Sequence, residues 1–206
     1  MVSSPSTADG TRQERVLDVA LEVFGRYGFR KASMDEIARS ADISRQGLYL
    51  HFANKEALFR AAVRQELDIA LGEVAASLNE VGVGLERRVV GALDAWIGRY
   101  VGSMLASDIG NLLQDPGAQL GDIVDPARAV FHERLTAAIA AAMSEKDRER
   151  LGVTPEDIAR ALHIVAQGAK YLSNAWSESR EQFVARVTAA VHVVFAGFWR
   201  RTERTA

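Results

Sequence analysis

Apolar residues recur every three or four positions in the first helical stretch of the chain, which is the spacing of one face of an α-helix. They are Leu17, Ala20, Leu21, Phe24 and Tyr27. Residues 11–14 match a capping box, in which a hydroxyl and an acidic side chain satisfy free backbone N–H groups. Gly28 stands where helices commonly stop, because glycine accepts a left-handed backbone. The pattern predicts a helix from residue 11 to Gly28.

Three further helix starts follow at short intervals. Residues 33–36 form a second capping box, and Ser44 and Asn54 are good N-cap residues. In the segment between Ser44 and Asn54, Leu48 and Phe52 fall on one face. The remaining positions of that short helix carry side chains that can recognise a binding partner through specific contacts, beyond what solubility requires. They are Arg45, Gln46, Tyr49 and His51.

The later segments are longer and are also predicted to be helical. The fourth helix runs to about Leu78, a fifth spans 85–106, and a break falls at 115–117. Later starts are predicted at 125–126 and 154–155, where a capping residue precedes proline, and at the capping box 179–182. No segment shows the alternation of apolar and polar residues, bounded by turn residues, that indicates a β-strand. The chain is therefore predicted to be all-α, with small helices first and a larger bundle after.

Composition is that of an ordinary globular protein, with 206 residues, 48% hydrophobic and 25% charged. The absence of cysteine excludes disulfides and Cys-based zinc sites and fits a reducing compartment. The first ten residues lack the basic start and apolar run of an export signal, and there is no apolar run of membrane-spanning length. We therefore expect a cytoplasmic protein without a membrane partner.

The net charge of −2 is too small for DNA binding by bulk charge alone. Residues 1–60 carry nine Lys/Arg against eight Asp/Glu, so the remainder is slightly acidic. Binding to DNA therefore requires a local site.

Residues 33–51 have the layout of a helix-turn-helix, whose second helix can enter a DNA major groove. In the turn 41–43, Asp42 is one of the few non-glycine residues that tolerate positive φ, and Ile43 is expected to anchor the turn. Gly47 costs about 1 kcal/mol of helix stability relative to alanine. That cost is explained if a surface such as DNA approaches the backbone there.

The run from Arg15 to Phe59, above all SMDEIARSADISRQGLYLHFANKEALF, resembles the DNA-binding domain of the tetracycline-repressor (TetR) family of bacterial transcriptional regulators. The short helix spacing, the Tyr-x-His-Phe ending and the Lys-Glu opening of the next helix occur together. The resemblance implies a three-helix helix-turn-helix domain followed by a larger helical ligand-binding and dimerisation domain. The corresponding division is a flexible arm 1–10, a DNA-binding domain 11–58 and a bundle 59–206.

The resemblance also implies roles for individual residues. Ser44, Arg45, Gln46 and the close-approach Gly47 enter the major groove, where Arg pairs with guanine and Gln with adenine. Phosphates are held by Tyr49, His51, Lys55 and the backbone N–H groups near Ser33. Taken singly, Tyr49 is equally compatible with a partly buried tyrosine, and Lys55 with a solvated surface charge.

The last two helices are apolar around most of their circumference. The resemblance implies that they pair with their copies in a four-helix interface of a homodimer, which reads a palindromic operator; a fully buried helix in a monomer is the alternative. The predicted interface residues are Ile158, Leu162, Val165, Ala169, Val187, Val191, Val194 and Phe198.

The central helices are expected to hold the family's pocket for an unidentified small-molecule effector that releases the protein from DNA. Its predicted lining is Trp96, Tyr100, Met104, Phe131, His163, Gln167 and Tyr171. An aromatic stripe at helical spacing is alternatively plain core.

An enzyme is the second hypothesis, and a DNA-binding protein without an effector is the third. The four histidines are far apart in sequence, none follows a glutamate at the Glu-x-x-His spacing, and phosphate-binding glycine loops and nucleophile elbows are absent. We therefore predict a repressor that is not an enzyme and that uses no cofactor or metal.

Overall fold

The computed structural model describes residues 7–102, 108–109, 111–113 and 120–199, and no strand occurs in these ranges. The prediction of an all-α chain is confirmed. The helices are α1 (Thr7–Lys31), α2 (Met34–Ser40), α3 (Arg45–His51), α4 (Lys55–Leu78), α5 (Leu85–Trp96), α6 (Gly121–Ala142), α7 (Glu145–Leu151), α8 (Pro155–Ala175) and α9 (Arg180–Trp199), with a 3₁₀ turn at Gly98–Tyr100. No helix in the described ranges is long and apolar enough to span a membrane.

The chain forms two compact units. The first contains residues up to Ile69 and the described part of 104–125; the second contains Ala70 to Gly102 and the described residues from Pro126 onward. This division rests on packing, whereas the predicted division at residue 58 concerns function and stays a prediction. Helix α4 is one continuous helix with residues in both units.

An aromatic cluster holds the first unit together. The Phe24 and Phe59 rings lie 4.8 Å apart edge to face, and Phe29 lies 5.0 Å from Phe59. Helix α1 departs from helical geometry at Gly28, where φ is 75°, as the sequence predicts. This departure lets the chain turn towards α2 while the Phe29 ring remains beside the Phe59 ring.

In the second unit, α9 packs against both α5 and α8. Its core contains Leu93, Phe131, Leu135, Phe183 and Phe195, all almost completely buried. A Cβ on Gly98 would lie 2.7 Å from the Phe183 ring, so glycine is needed for this close approach. The Arg180 guanidinium donates to both oxygens of Asp94 at 2.9 and 3.0 Å, which ties the start of α9 to α5.

Most predicted helix caps are confirmed. Ser33 accepts from Glu36 N, and Asn54 Oδ1 accepts from Ala57 N at 2.8 Å. Thr154 caps α8 with Pro155 in its first turn, and Ser179 exchanges hydrogen bonds with Gln182. These caps are local interactions, so local sequence is enough to predict them.

Several predicted boundaries were wrong. Helix α1 already begins at Thr7, so residues 7–10 are helical rather than part of an arm. Helix α5 ends at Trp96 instead of near residue 106, since the chain tightens into the 3₁₀ turn where Gly98 meets Phe183.

Two further starts were misjudged. Helix α6 begins at Gly121, before Pro126, because burial of Leu120, Ile123 and Val124 stabilises an earlier turn. Helix α7 was missed, although Ser144 and Asp147 form a capping box.

Candidate DNA-binding surface and interior site

Helices α2 and α3 are joined by a tight turn. Asp42 adopts φ 54°, as predicted, and Ile43 N donates to Ala38 O at 3.0 Å. Ser44 caps α3 by accepting from Gly47 N at 3.0 Å. Leu48 is fully buried whereas Ile43 is only half-buried, so Leu48 is the stronger anchor of α3.

The opposite face of α3 is exposed at every side chain predicted to read DNA. Ser44, Arg45, Gln46, Tyr49 and His51 all lie at the surface. The residue missed by sequence reasoning is Leu50, whose side chain is 80% exposed. An exposed leucine among these polar groups can contact an apolar patch such as a thymine methyl.

Arg45 is held in place by α2. Its Nε lies 3.0 Å from Asp35 Oδ1, and its Nη1 donates to Asp35 Oδ2 at 3.1 Å. Its guanidinium carbon lies 5.6 Å from the centre of the Tyr49 ring. The Arg45 side chain is therefore oriented but stays 64% exposed and accessible. The sequence placed Asp35 within a capping box and did not predict its ion pair with Arg45.

Gly47 has a local explanation beside the predicted approach of DNA. A Cβ at Gly47 would lie 3.1 Å from Ser44 Oγ, the atom that caps α3. The methyl group of an alanine at this position would therefore crowd the Ser44 hydroxyl that caps α3.

Lys55 occupies a different environment from the solvent-facing one that a phosphate contact needs. Its Nζ donates to Phe29 O at 2.8 Å, Ala32 O at 3.0 Å and Arg30 O at 3.3 Å. It also lies 4.6 Å from the centre of the Phe29 ring. An ammonium has three N–H donors, and all three are used here. In this structure Lys55 ties the start of α4 to the end of α1 and to Ala32, which follows it.

A second cluster lies inside the second unit and brings together several predicted effector contacts. Trp96 and Phe131 stack with ring centres 5.0 Å apart, and Phe131 meets His163 edge on at 5.3 Å. Gln167 Nε2 lies 3.2 Å from His163 Nε2, and His163 Nδ1 lies 2.7 Å from His132 Nε2. Gln167, His163 and His132 thus form a hydrogen-bonded row beside the stacked rings.

Burial keeps both histidines neutral. It lowers the pKa of His163 to about 4, with a further contribution from His132, and it also lowers the pKa of His132. With the Gln167 amide donating to His163 Nε2, the His163 proton sits on Nδ1 and is donated to His132 Nε2. No group of three or more metal-ligating side chains occurs in the part of the chain that the structure describes.

Three predicted effector contacts lie outside this hydrogen-bonded row and its stacked rings: Tyr100, Tyr171 and Met104. Tyr100 is buried, but Tyr171 is 74% exposed and points away from this interior, so its assignment to the pocket lining was wrong. Met104 lies outside the described residues.

Lys170 was missed by sequence reasoning, although it follows His163 and Gln167 at helical spacing. It is only 5% exposed, and its Nζ lies 5.4 Å from the centre of the Tyr100 ring.

The residues predicted to form a dimer interface mostly face the subunit's own core. Ile158, Leu162, Ala169, Val187 and Val191 are buried against neighbouring helices, so they cannot contact a second copy there. Val165 is exposed, Val194 is half-buried, and the side chain of Phe198 lies outside the described part. Both helices nevertheless carry exposed apolar side chains: Ile164, Val165, Tyr171 and Leu172 on α8, Trp176 directly after it, and Val193 on α9.

Comparison with known proteins adds independent evidence for the first unit. Residues 16–62 match the model of bacterial regulatory proteins of the tetR family. Two transcriptional regulators of Escherichia coli K12, RutR and UidR, are 37% and 39% identical over 71 residues, which is 34% of this chain. The match spans only about a third of each relative, 34% and 36%.

Solved structures share the fold over most of the chain. A TetR-like transcriptional regulator from Rhodococcus sp. RHA1 aligns with TM-score 0.67 at 22% identity over 95% of this chain and 100% of that one. Reduced NemR of E. coli aligns with TM-score 0.67 at 17% identity over 89% and 96%. The family match thus assigns residues 16–62, the helix-turn-helix region of the first unit, to the bacterial regulatory proteins of the tetR family, and the solved structures show that their fold extends over most of this chain.

Proposed function

We propose that this protein is a cytoplasmic transcriptional repressor that binds a palindromic operator as a homodimer and is released by a small-molecule effector. The observation that carries the proposal is the exposed face of α3, where Arg45, Gln46 and Tyr49 stand on a helix whose other side is anchored by Leu48. A short helix fixed in this way suits the major groove.

The exposed side chains divide into two roles. Arg45 and Gln46 can each form paired hydrogen bonds with a base edge, which is how sequence is read in the major groove. Ser33, Tyr49 and His51 can hold phosphates, which sets position without reading sequence. Since Lys55 already has three acceptors, we assign its main role to the fold rather than to phosphate contact.

Base and phosphate roles can be separated by selecting bound fragments from random DNA and then measuring affinities for single-base operator variants. Arg45→Ala should relax preference at one base position, a loss of about 1–3 kcal/mol of discrimination. Tyr49→Phe retains the ring beside Arg45 and should weaken all operator variants equally.

Arg87→Ala, an exposed arginine of the second unit, is the matched control and should leave affinity and preference unchanged. Failure of the wild-type protein to enrich any sequence would overturn the proposed function. A change of base preference in Tyr49→Phe but not in Arg45→Ala would mean that the two roles are assigned to the wrong residues.

The exposed apolar face of α8 and α9 supports the homodimer. Trp176 and Tyr171 are 59% and 74% exposed, so two large apolar side chains are left unburied near the end of α8. A two-fold pairing of this face would bury it in a four-helix arrangement, and a two-fold dimer matches a palindromic site.

Placing a charge on this face should separate the subunits. Val193→Asp or Tyr171→Asp is expected to yield monomers, because an unpaired carboxylate in an apolar interface is costly to bury. Light scattering of the purified variants measures the mass. Val81→Asp is the matched control, since Val81 is 96% exposed and lies outside this face. If both test variants stay dimeric, the interface lies elsewhere.

The proposed effector site is the cluster of Trp96, Phe131, His163 and Gln167. Helix α4 offers a covalent route for its influence, since it begins at Lys55 beside the helix-turn-helix and continues into the second unit. An effector that prefers a subunit arrangement poorly matched to the operator shifts the equilibrium away from DNA by its differential affinity.

A further inference from the structure

Lys170 is a buried cation without a hydrogen-bond acceptor. Its side chain is 5% exposed, and Nζ finds no acceptor in the described part of the protein. Nζ lies over the face of the Tyr100 ring, 5.4 Å from the ring centre. A buried charge is normally paired, because removal from water is costly. An unpaired buried ammonium is therefore expected to bind a counter-ion from outside the chain.

Three acidic groups of the same unit are already paired with arginines. Arg180 binds Asp94, Arg99 binds Glu73 with Nη1 3.1 Å from Oε2, and Arg186 binds Glu178. Burial lowers the pKa of Lys170 to about 8, so the group is still mostly an ammonium at neutral pH. The charge is thus present in the interior and is left for a ligand to neutralise.

The neighbours of Lys170 indicate the rest of such a ligand. His163, Gln167 and Lys170 follow one another at intervals of four and three on α8, so they share one side of the helix. Beside His163 lie the stacked Trp96 and Phe131 rings. With both histidines neutral, the site offers flat aromatic surface, neutral polar groups and the positive charge of Lys170. This combination complements a flat apolar molecule with one carboxylate.

We propose that Lys170 is the anion-recognition group of the effector site and that the effector is a small aromatic carboxylate. The proposal rests on the effector function proposed above and adds the chemical class of the ligand. It also names the residue that distinguishes this class from the corresponding neutral compounds.

A groove elsewhere in the same unit is the competing anion site. It has a volume of about 600 Å³ and is lined by Arg88, Arg134 and mainly alanines. Arg88 Nη1 donates to Leu78 O at 2.8 Å and Arg134 Nη1 donates to Leu71 O at 2.7 Å, so each arginine is partly engaged. A carboxylate bound in this groove does not need Lys170, which makes the two sites separable.

The test is calorimetric titration of the full-length protein, without DNA, with benzoate, phenylacetate and 3-phenylpropionate and with the primary amide of each. At least one acid should bind with a dissociation constant below about 1 mM, and its amide should bind at least about tenfold more weakly. Lys170→Met should lose acid binding by about tenfold or more. Lys146→Met removes the same charge from an exposed position of the same unit and should bind as the wild type does.

Three results would overturn the proposal: no binding of any of the three acids, equal affinity for acid and amide, or retained acid binding in Lys170→Met. The last result combined with loss of binding in Arg134→Met would place the anion in the alanine-lined groove instead. Since no DNA is present, failure here is distinct from failure of operator binding, which the selection experiment measures.

Discussion

Replacing Lys55 by methionine is expected to lower the free energy of unfolding of the first unit by about 2–4 kcal/mol, since hydrogen bonds to charged groups are each worth about 1.5–3 kcal/mol and do not add fully. Methionine keeps an unbranched apolar stem but leaves the carbonyls of Phe29, Arg30 and Ala32 without their shared donor. It also removes the cation from the Phe29 ring. Urea denaturation followed by circular dichroism measures the change.

Lys31→Met is the matched control, because Lys31 is exposed in the same unit and should change stability little. DNA affinity of Lys55→Met should fall because α2 and α3 lose their support. The salt dependence of binding decides between support and phosphate contact. Unchanged stability, with affinity lowered equally for all sequences and a salt slope smaller by about 1, would restore the phosphate role that the family resemblance implies.

Replacing Lys170 by methionine is expected to stabilise the protein. Burial lowers the pKa of this lysine from 10.5 to about 8, and this difference corresponds to about 3 kcal/mol of destabilisation while the group is charged. The folded-state pKa lies below the unfolded one, so between pH 8 and pH 10.5 the unfolded chain binds more protons and the wild type gains stability as pH rises. The advantage of Lys170→Met should therefore be largest below pH 8 and shrink above it.

Thermal unfolding of wild type, Lys170→Met and Lys146→Met at pH 7 and pH 9.5 measures this difference. Lys146 is exposed, so its variant should follow the wild type at both values. A Lys170→Met protein less stable than wild type at pH 7 would show that the contact with Tyr100 outweighs the cost of burying the charge.

Local signals predicted the helix-turn-helix well. The caps at Ser33, Ser44 and Asn54 each depend on atoms three residues away, and the positive φ of Asp42 depends on the residue itself. Such features can be predicted without knowledge of how distant parts of the chain pack. The exposed face of α3 follows from the same periodicity, because burying Leu48 turns its neighbours outward.

These local signals could not predict contacts between residues far apart in sequence. The pairing of Arg45 with Asp35 spans ten positions, and Lys55 reaches back twenty-three to twenty-six. The family resemblance implied that Lys55 meets phosphate, but only the folded chain shows carbonyls within reach of its ammonium. The start of α6 was misjudged for a related reason, since burial of Ile123 and Val124 outweighed the proline signal.

By itself, the sequence determined the all-α class, the position of the helix-turn-helix and the residues on its exposed face, because capping and helical periodicity act within a few residues. Only the tertiary structure decided which side of α8 and α9 is left exposed. Helix α9 is apolar almost all round, so periodicity could not choose, and packing against α5 and α8 buried Val187 and Val191 and left Val193 exposed. Tertiary packing likewise placed Lys170 in the interior, where its significance comes from the lack of an acceptor among the described residues rather than from the residue type.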